Sequence, residues 1–552
     1  VRDGRARLHV VAPAPVPPAP RVPASPPRSL ATSTIIVMAA TLGSSLLGFG
    51  REVVNARFFG TQREMDAFLA AATIPTILFG IFNGALVSAL VPVFSEYVER
   101  GDDEGLRRLA STILNALALG LTALAALGWF AAPVFVPLVA RGFSTPELRV
   151  TTEMTRWLMP TVVATSLAGV ASAMLNARRR FVATALQGVA INAVTIGVVV
   201  VLERRLGIYA LVLGTTLGLF AQLAVQVPAV LAGRLYRPVL DLRHPGLRRV
   251  WLMLGPIVVG SAAGQIAIFF DRNFASTLTP GYISGMNYAT KLVGFPQQIF
   301  AAAIATVLFP LLASQFAKDD RDGVGEHLVL GLRLVNFITI PAVFALSLLA
   351  RPIVAALFQR GEFRATATDL CAGLLPYAAI GLVGLAACVV LTRCCFAAGE
   401  TRWTIGISIF TVVLNVGLSL LWLRPLGARG LLLANSVSQW VQAALLAALV
   451  WRLTRGFAWL RIVDSTVRIL ACSTVMALAL KWIATLGTDV DATFAARASY
   501  LAGQLCIGAL VFVGAARLLH VEELSIAARS ILGYLTSPRV PAPAETVEAP
   551  IA

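Results

Sequence analysis

Long apolar runs alternate with short polar turns along this chain of 552 residues. A helix that crosses a bilayer needs about 20 consecutive apolar residues. By that measure the sequence predicts about fourteen spans. They lie near residues 32–50, 66–92, 110–140, 156–176, 182–202, 208–232, 250–270, 285–314, 328–358, 370–396, 403–423, 428–451, 463–487 and 496–518. Several exceed the minimum length, so they are expected to tilt, kink or protrude. Pro75, Pro92, Pro296, Pro310 and Pro376 mark expected kinks or ends. Proline removes one helix hydrogen bond and crowds the turn before it.

The pattern is written twice. Leu90-Val91-Pro92 leads into Glu96, Arg100 and the acidic stretch at 102–104, and Leu308-Phe309-Pro310 leads into Lys318, Asp319 and Asp320. Arg141-Gly142-Phe143 after Pro133 is matched by Arg360-Gly361-Glu362-Phe363 after Pro352. Asn192 before Leu206-Gly207 is matched by Asn415 before Leu426-Gly427. The offsets are about 218 to 223 residues, far above solenoid periods. Copies with the same loop chemistry share an orientation, so each needs an even number of spans, and six fits. The fold expected is an all-α integral membrane protein of two parallel six-helix repeats plus two extra C-terminal helices. The N-lobe would be 32–248, the C-lobe 249–456 and the added pair 457–520, with unstructured tails at 1–31 and 521–552. Parallel repeats place two lobes about an axis along the membrane normal, with a cavity between them.

Composition agrees. The chain is 57% hydrophobic and only 13% charged, where a soluble domain carries roughly 25% charged residues. The formal charge of +17 is spread over many short loops. No basic domain collects it, which argues against a nucleic-acid partner. Arg178-Arg179-Arg180, the arginines of 234–249, and Arg452 with Arg455 mark cytoplasmic loops and put both termini inside. The six cysteines all fall in or at the ends of apolar runs, and the four histidines share no spacing. They read as small buried residues and loop residues, not metal ligands. No nucleophile–base pair and no phosphate-binding glycine loop stands out. Neither catalysis, nor a cofactor, nor a metal is expected.

A charge inside a bilayer is costly, so each one calls for a reason. Lys291 lies within the eighth span, far from either end. A snorkelling lysine is the plain alternative to a cavity cation. Arg51, Glu52 and Arg57 close the first span, and Asp66 opens the second. Interfacial anchoring would account for the arginines, and the dipole of its own helix for Asp66. Asp271 and Arg272 close the seventh span, where they can pair with each other. Asn55 and Asn287 add polar groups to spans 1 and 8, and such groups face protein or a cavity sooner than lipid. The candidate substrate residues are therefore Arg51, Asp66, Lys291, Arg57, Asn55 and Asn287. A mildly cationic cavity suits an anionic cargo, and arginine suits phosphate because its planar fork binds two oxygens.

The chain also resembles a known family. Gly48-Phe49, Arg51-Glu52, Phe59-Gly60 and Asp66-Ala67-Phe68 are similar to the signature of the lipid II flippases (MurJ, or MviN). So, in order, are Val91 to Phe94, Leu175-Asn176 with Arg180-Phe181, Tyr288 to Pro296, Leu357 to Phe363, and Phe396 to Thr401. The resemblance covers about residues 32–520 and implies membership of the multidrug/oligosaccharidyl-lipid/polysaccharide exporter superfamily. It implies a flippase that moves lipid-linked peptidoglycan precursor from the inner to the outer leaflet of the bacterial plasma membrane by alternating access. The diphosphate–sugar head would enter the cavity while the polyprenyl tail stays in lipid, beside a groove built with spans 13 and 14, about residues 463–518. Arg51 and Asp66 match positions important in the family, and Lys291 stands where a cavity arginine is common. Ser45 and Phe79 replace two cavity arginines of well-studied members. Asp271, Asn415 and Ser419 fall near a sodium site of some members, but a serine replaces an expected carboxylate, so no metal site is assigned. The partners implied are lipid II or a similar polyprenyl-diphosphate glycolipid, membrane lipids and cell-wall synthesis proteins.

Two other readings stay open at this point. The missing arginines fit a flippase for another polyprenyl-diphosphate glycan, such as an O-antigen or exopolysaccharide unit. A cation-coupled drug exporter would be expected to carry a carboxylate deep in a helix, and a nontransporting scaffold would tolerate loss of Lys291.

Overall fold

The computed structural model describes residues 27–485 and 493–526. The expected unstructured tails fall largely outside them, although α1 already begins at Pro27, inside the segment expected to be irregular. The first half runs through α1 (Pro27–Phe59), α2 (Arg63–Ala71), α3 (Thr73–Glu99), α4 (Asp103–Val139), α5 (Thr145–Leu158), α6 (Thr161–Ala177), α7 (Phe181–Leu206), α8 (Tyr209–Ala224) and α9 (Val227–Ala232). The second runs through α10 (Pro245–Ala275), α11 (Tyr282–Pro296), a wide π-type turn (Gln297–Ala301), α12 (Ala302–Ala317), α13 (Arg321–Leu348), α14 (Ala350–Phe358), α15 (Ala365–Ala379), α16 (Gly381–Ala397), α17 (Thr401–Leu426) and α18 (Ala428–Leu453). α19 (Trp459–Thr485) and α20 (Phe494–Leu518) follow.

Among the described residues, 11 helices are long and apolar enough to cross a membrane. The pair α15–α16, bent by 45°, makes a twelfth. α1 and α10, in the places of spans 1 and 7, lie outside that count, so fourteen crossings rest on the sequence pattern. Several expected spans are broken. Span 2 divides at Ala72 because Pro75, in the first turn of α3, cannot donate to the carbonyl of Ala71. Pro92 and Pro310 do not end their helices; each continues seven residues further, to Glu99 and to Ala317.

The repeat is visible in the backbone itself. Asp102 caps α4 by accepting from the N–H of Gly105 at 2.8 Å, and Asp320 caps α13 by accepting from that of Gly323 at 2.9 Å. Such a cap satisfies a donor that the first helical turn leaves free. Gly207 and Gly427 end equivalent helices with φ of 53° and 57° and the same ψ of −134°. Arg179 and Gly399, and Arg234 and Arg455, are further matched positions with positive φ.

Packing is uneven across the membrane. One apolar cluster holds Leu86, Phe94, Leu109 and Leu175 of the first repeat, together with Val250 and Leu254 of α10. A second holds Leu312, Leu328, Val390 and Leu446 of the second repeat. A third joins both, through Ala56, Phe68, Tyr288, Phe358 and Phe363. The two halves therefore share a core near one face, where the α1–α2 and α10–α11 turns lie; toward the other each repeat has its own core, with the start of α10 packed into that of the first. The shared end is called the gate face below.

Candidate functional site

Beneath the shared core lies a cavity of about 440 Å³, lined by residues of α1, α2, α3, α10, α11 and α18. Arg51 lies eight residues before the end of α1, and Lys291 nine after the start of α11. At 1.5 Å per residue both sit about 12 to 14 Å below the gate face. Asn287 lies one turn from Lys291 on the same helix face, and Arg272, Asp271 and Asn435 complete the polar wall. Thr73 and Thr76 line it from the start of α3, where the break after α2 turns them inward.

The charges are weakly compensated. Lys291 is exposed and has no hydrogen-bond or ion-pair partner among the described residues. Arg272 reaches the carbonyl of Ile283 and Oδ1 of Asn287, both at 3.4 Å. Arg51 pairs with Glu52 at 3.1 Å. Asp271, expected to pair with Arg272, leaves its Oδ1 buried without a hydrogen bond among the described residues. No ion pair joins the two among the described residues, although the adjacent Arg51 and Glu52 do pair. Three cations against one lining carboxylate, in a site of reduced dielectric, favour an anionic occupant.

The candidates thus separate. Arg51, Lys291 and Asn287 come together at the cavity. Asn55, Arg57 and Asp66 do not line it. Asn55 is buried with its Oδ1 unbonded among the described residues. Arg57 lies near the gate face over the Phe58 ring, at 5.7 Å from its centroid. Asp66 is 3% exposed and caps α11 instead of its own helix: its carboxylate accepts from Gly281 N at 2.6 Å and Ser284 N at 2.8 Å. Sequence reasoning missed Arg272 and Asn435. The available signal was an arginine inside an otherwise apolar run, masked by its acidic neighbour. Ser45, where a cavity arginine was expected from the resemblance, donates to the carbonyl of Thr41 at 3.0 Å and stays out of the cavity.

The gate above the cavity is made of bonds between the halves. Tyr288 donates to the carbonyl of Gly60 at 3.2 Å, the N–H of Glu362 to the carbonyl of Arg57 at 2.9 Å, and Gln62 to Glu362 at 2.7 Å. Gly142 N donates to Ser276 Oγ at 3.2 Å. Close backbone approach requires glycine: a Cβ on Gly60 would strike the carbonyl of Glu362, and one on Gly142 that of Ser276. Rings of Tyr288, Phe358 and Phe363 pack against one another at 5.2 to 5.7 Å within the shared core. On the opposite side Arg249 pairs with Glu96, tying the start of α10 to the first repeat.

A separate apolar groove of about 620 Å³ runs between α13, α16, α18 and α19, lined by Phe344, Trp440, Trp459, Val463 and Leu470 among others. The expected groove residues 463–518 are only partly in place: α19 contributes, whereas α20 contributes none of the lining. Cys506, expected to be buried, is exposed on α20.

Residues 55–496 match the family model described as lipid II flippase MurJ. The chain is 30% identical over 515 residues to a probable lipid II flippase MurJ of Vibrio cholerae serotype O1, covering 90% of this chain and 97% of that protein. It is 30% identical over 432 residues to lipid II flippase MurJ of Burkholderia cenocepacia, covering 76% and 83% respectively. A solved structure of lipid II flippase MurJ in an inward closed conformation superposes with a TM-score of 0.75 at 22% identity, over 90% of this chain and all of that one. An inward-facing multidrug resistance MATE transporter of the MOP superfamily gives a TM-score of 0.62 at 15% identity, over 78% and 98%.

Proposed function

The chain belongs to the lipid II flippase MurJ family, and from that premise we propose how it carries lipid II across the bacterial plasma membrane. The observation that carries the mechanism is the cavity with Arg51, Arg272 and Lys291 on its wall. The diphosphate enters there, Arg51 and Arg272 offer forked donors to its oxygens, and Lys291 supplies a point charge. Asn287 and Asn435 donate to or accept from the sugar or phosphate. The polyprenyl tail stays outside, along the apolar groove of α13, α16, α18 and α19.

The two lobes, 32–248 and 249–456, rock about the site. The gate face is the outer face, so the conformation described here is shut to the outside. Both termini then lie in the cytoplasm. A bound cargo shifts this equilibrium only by its different affinity for the two states. Neutralising the cavity cations lowers the cost of closing the cytoplasmic side around them, and the gate bonds at Asp66, Gly60 and Glu362 then give way. Proteins of cell-wall synthesis that use or supply the cargo are the partners this reading implies.

Complementation tests it. A bacterium depleted of its own lipid II flippase should grow with the intact chain and fail with well-expressed Lys291→Ala or Arg51→Ala. Growth with all three would remove the cavity from the mechanism.

A further inference from the structure

Arg57 was left outside the cavity, and its surroundings give it another use. It sits two residues from the end of α1, and the loop after α14 folds against it. The N–H of Glu362 donates to its carbonyl at 2.9 Å, and a Cβ on Gly361 would lie 3.2 Å from its Cγ. That places the Arg360 side chain, one residue earlier, beside the same helix end. The charge of Arg57 adds to burial in lowering the Arg360 guanidinium from its ordinary value.

Neither arginine has a carboxylate partner among the described residues. Glu362, the acidic residue in this loop, is engaged by Gln62 at 2.7 Å and Arg364 at 3.5 Å. Arg360 turns one nitrogen to the carbonyls of Ala356 and Leu357, at 3.0 and 3.3 Å, while its Nε is buried without a hydrogen bond among the described residues. Its guanidinium lies 4.1 Å from the centroid of the Phe494 ring, which opens α20. Stacking on an aromatic face fixes the plane of the fork and leaves its edge for a planar or tetrahedral oxyanion. Two like charges held together at the edge of a low-dielectric slab repel unless an anion lies between them.

We propose that Arg57 and Arg360 form a second phosphate site, distinct from the cavity, that holds the phosphate of a membrane lipid at the gate face between α1, the α14–α15 loop and α20. Helix ends meet the headgroup layer there, so the ligand is a lipid phosphate with its chains along α20. α20 offers exposed Leu505 and Leu510 along its length. Two lipids carry the required chemistry: an anionic phospholipid of the bulk membrane, and a polyprenyl diphosphate that has crossed. The site does not depend on which cargo the cavity takes.

The test is native mass spectrometry of the full chain in detergent, titrated separately with phosphatidylglycerol and with undecaprenyl diphosphate. The double variant Arg57→Gln/Arg360→Gln should lose roughly tenfold or more in occupancy, the scale of lost charge-assisted hydrogen bonds. Arg57→Lys/Arg360→Lys, which keeps the charge but loses the stacked fork, should lose clearly less than the Gln double and guards against a folding defect. Arg141→Gln, another exposed arginine near this face, should change nothing. Loss with both lipids identifies a bulk-phospholipid site. Loss confined to the diphosphate identifies an exit site for the transported lipid. Unchanged occupancy for both lipids, or equal losses in the Gln and Lys doubles, would overturn the proposal.

Discussion

Asp66, on α2 of the first repeat, caps α11 of the second: its two carboxylate oxygens accept from the backbone of Gly281 at 2.6 Å and Ser284 at 2.8 Å. The first turn of a helix carries unsatisfied N–H groups and the positive end of its dipole, so a carboxylate there is stabilising. Here the cap comes from across the seam, and it can be made only while the gate face is shut. Asp66→Ala should therefore favour opening on that face by about 0.5–2 kcal/mol, the range measured for loss of a helix cap. Spin labels on the exposed residues 63 and 364 should report a longer mean distance in the variant. An unchanged distance distribution would reduce Asp66 to a local packing residue.

Glycine at the gate makes a second, steric prediction. Gly60 has φ +55° and its missing Cβ leaves room for the carbonyl of Glu362. Gly60→Ala is strained twice, by its backbone conformation and by that carbonyl. The same labelled pair should read open even without cargo, and complementation should fail although the protein inserts and folds.

Arg272 is predicted to bind cargo, not to brace α10. Its two contacts, both at 3.4 Å, are long. Arg272→Gln should weaken binding of farnesyl diphosphate, a short soluble stand-in, by roughly tenfold or more, while the midpoint of thermal unfolding stays near that of the parent. A large fall in the midpoint with unchanged binding would reverse the assignment.

The C-terminal segment is tied to the second repeat by a buried carboxylate. Glu523, 1% exposed, accepts from Arg333 and from Ser465 Oγ at 2.6 Å. Burial alone would raise its pKa, but the hydrogen bonds from Arg333 and Ser465 outweigh that and hold it below the ordinary value of 4.5. A depressed folded pKa contributes stability above the unfolded value and loses it as the pH falls through the folded one. The contribution of this group to thermal stability should thus be constant near neutrality and be lost below about pH 4.5, and Glu523→Gln should flatten the decline in that acid range. Arg333→Ala leaves the charge buried and should cost about 3 kcal/mol.

Much of this was legible in the sequence, for physical reasons. Lys291 and Arg51, singled out because a charge in an apolar run has few tolerable places, do line the cavity. The repeat was found because matched proline, glycine and acidic positions encode matched turns, and Asp102 with Asp320 shows them making the same cap. Asp66 could not be placed, since its partners lie 215 and 218 residues away and its local reading, the dipole of α2, was chemically reasonable. Arg272 was hidden by Asp271, because a neighbouring carboxylate offered it a ready partner. Asn435 had no signal at all, being one asparagine in a helix whose orientation is set by its neighbours.

The most direct test of the central claim is to measure which leaflet holds lipid II. Cells depleted of their own flippase and carrying this chain would be exposed to an outer-face reagent that cleaves or labels only externally accessible lipid II. Labelling should be restored with the intact chain, and stay at the depleted level with the triple variant Arg51→Ala/Arg272→Ala/Lys291→Ala at equal membrane abundance. Full labelling with that variant would contradict transport through the cationic cavity.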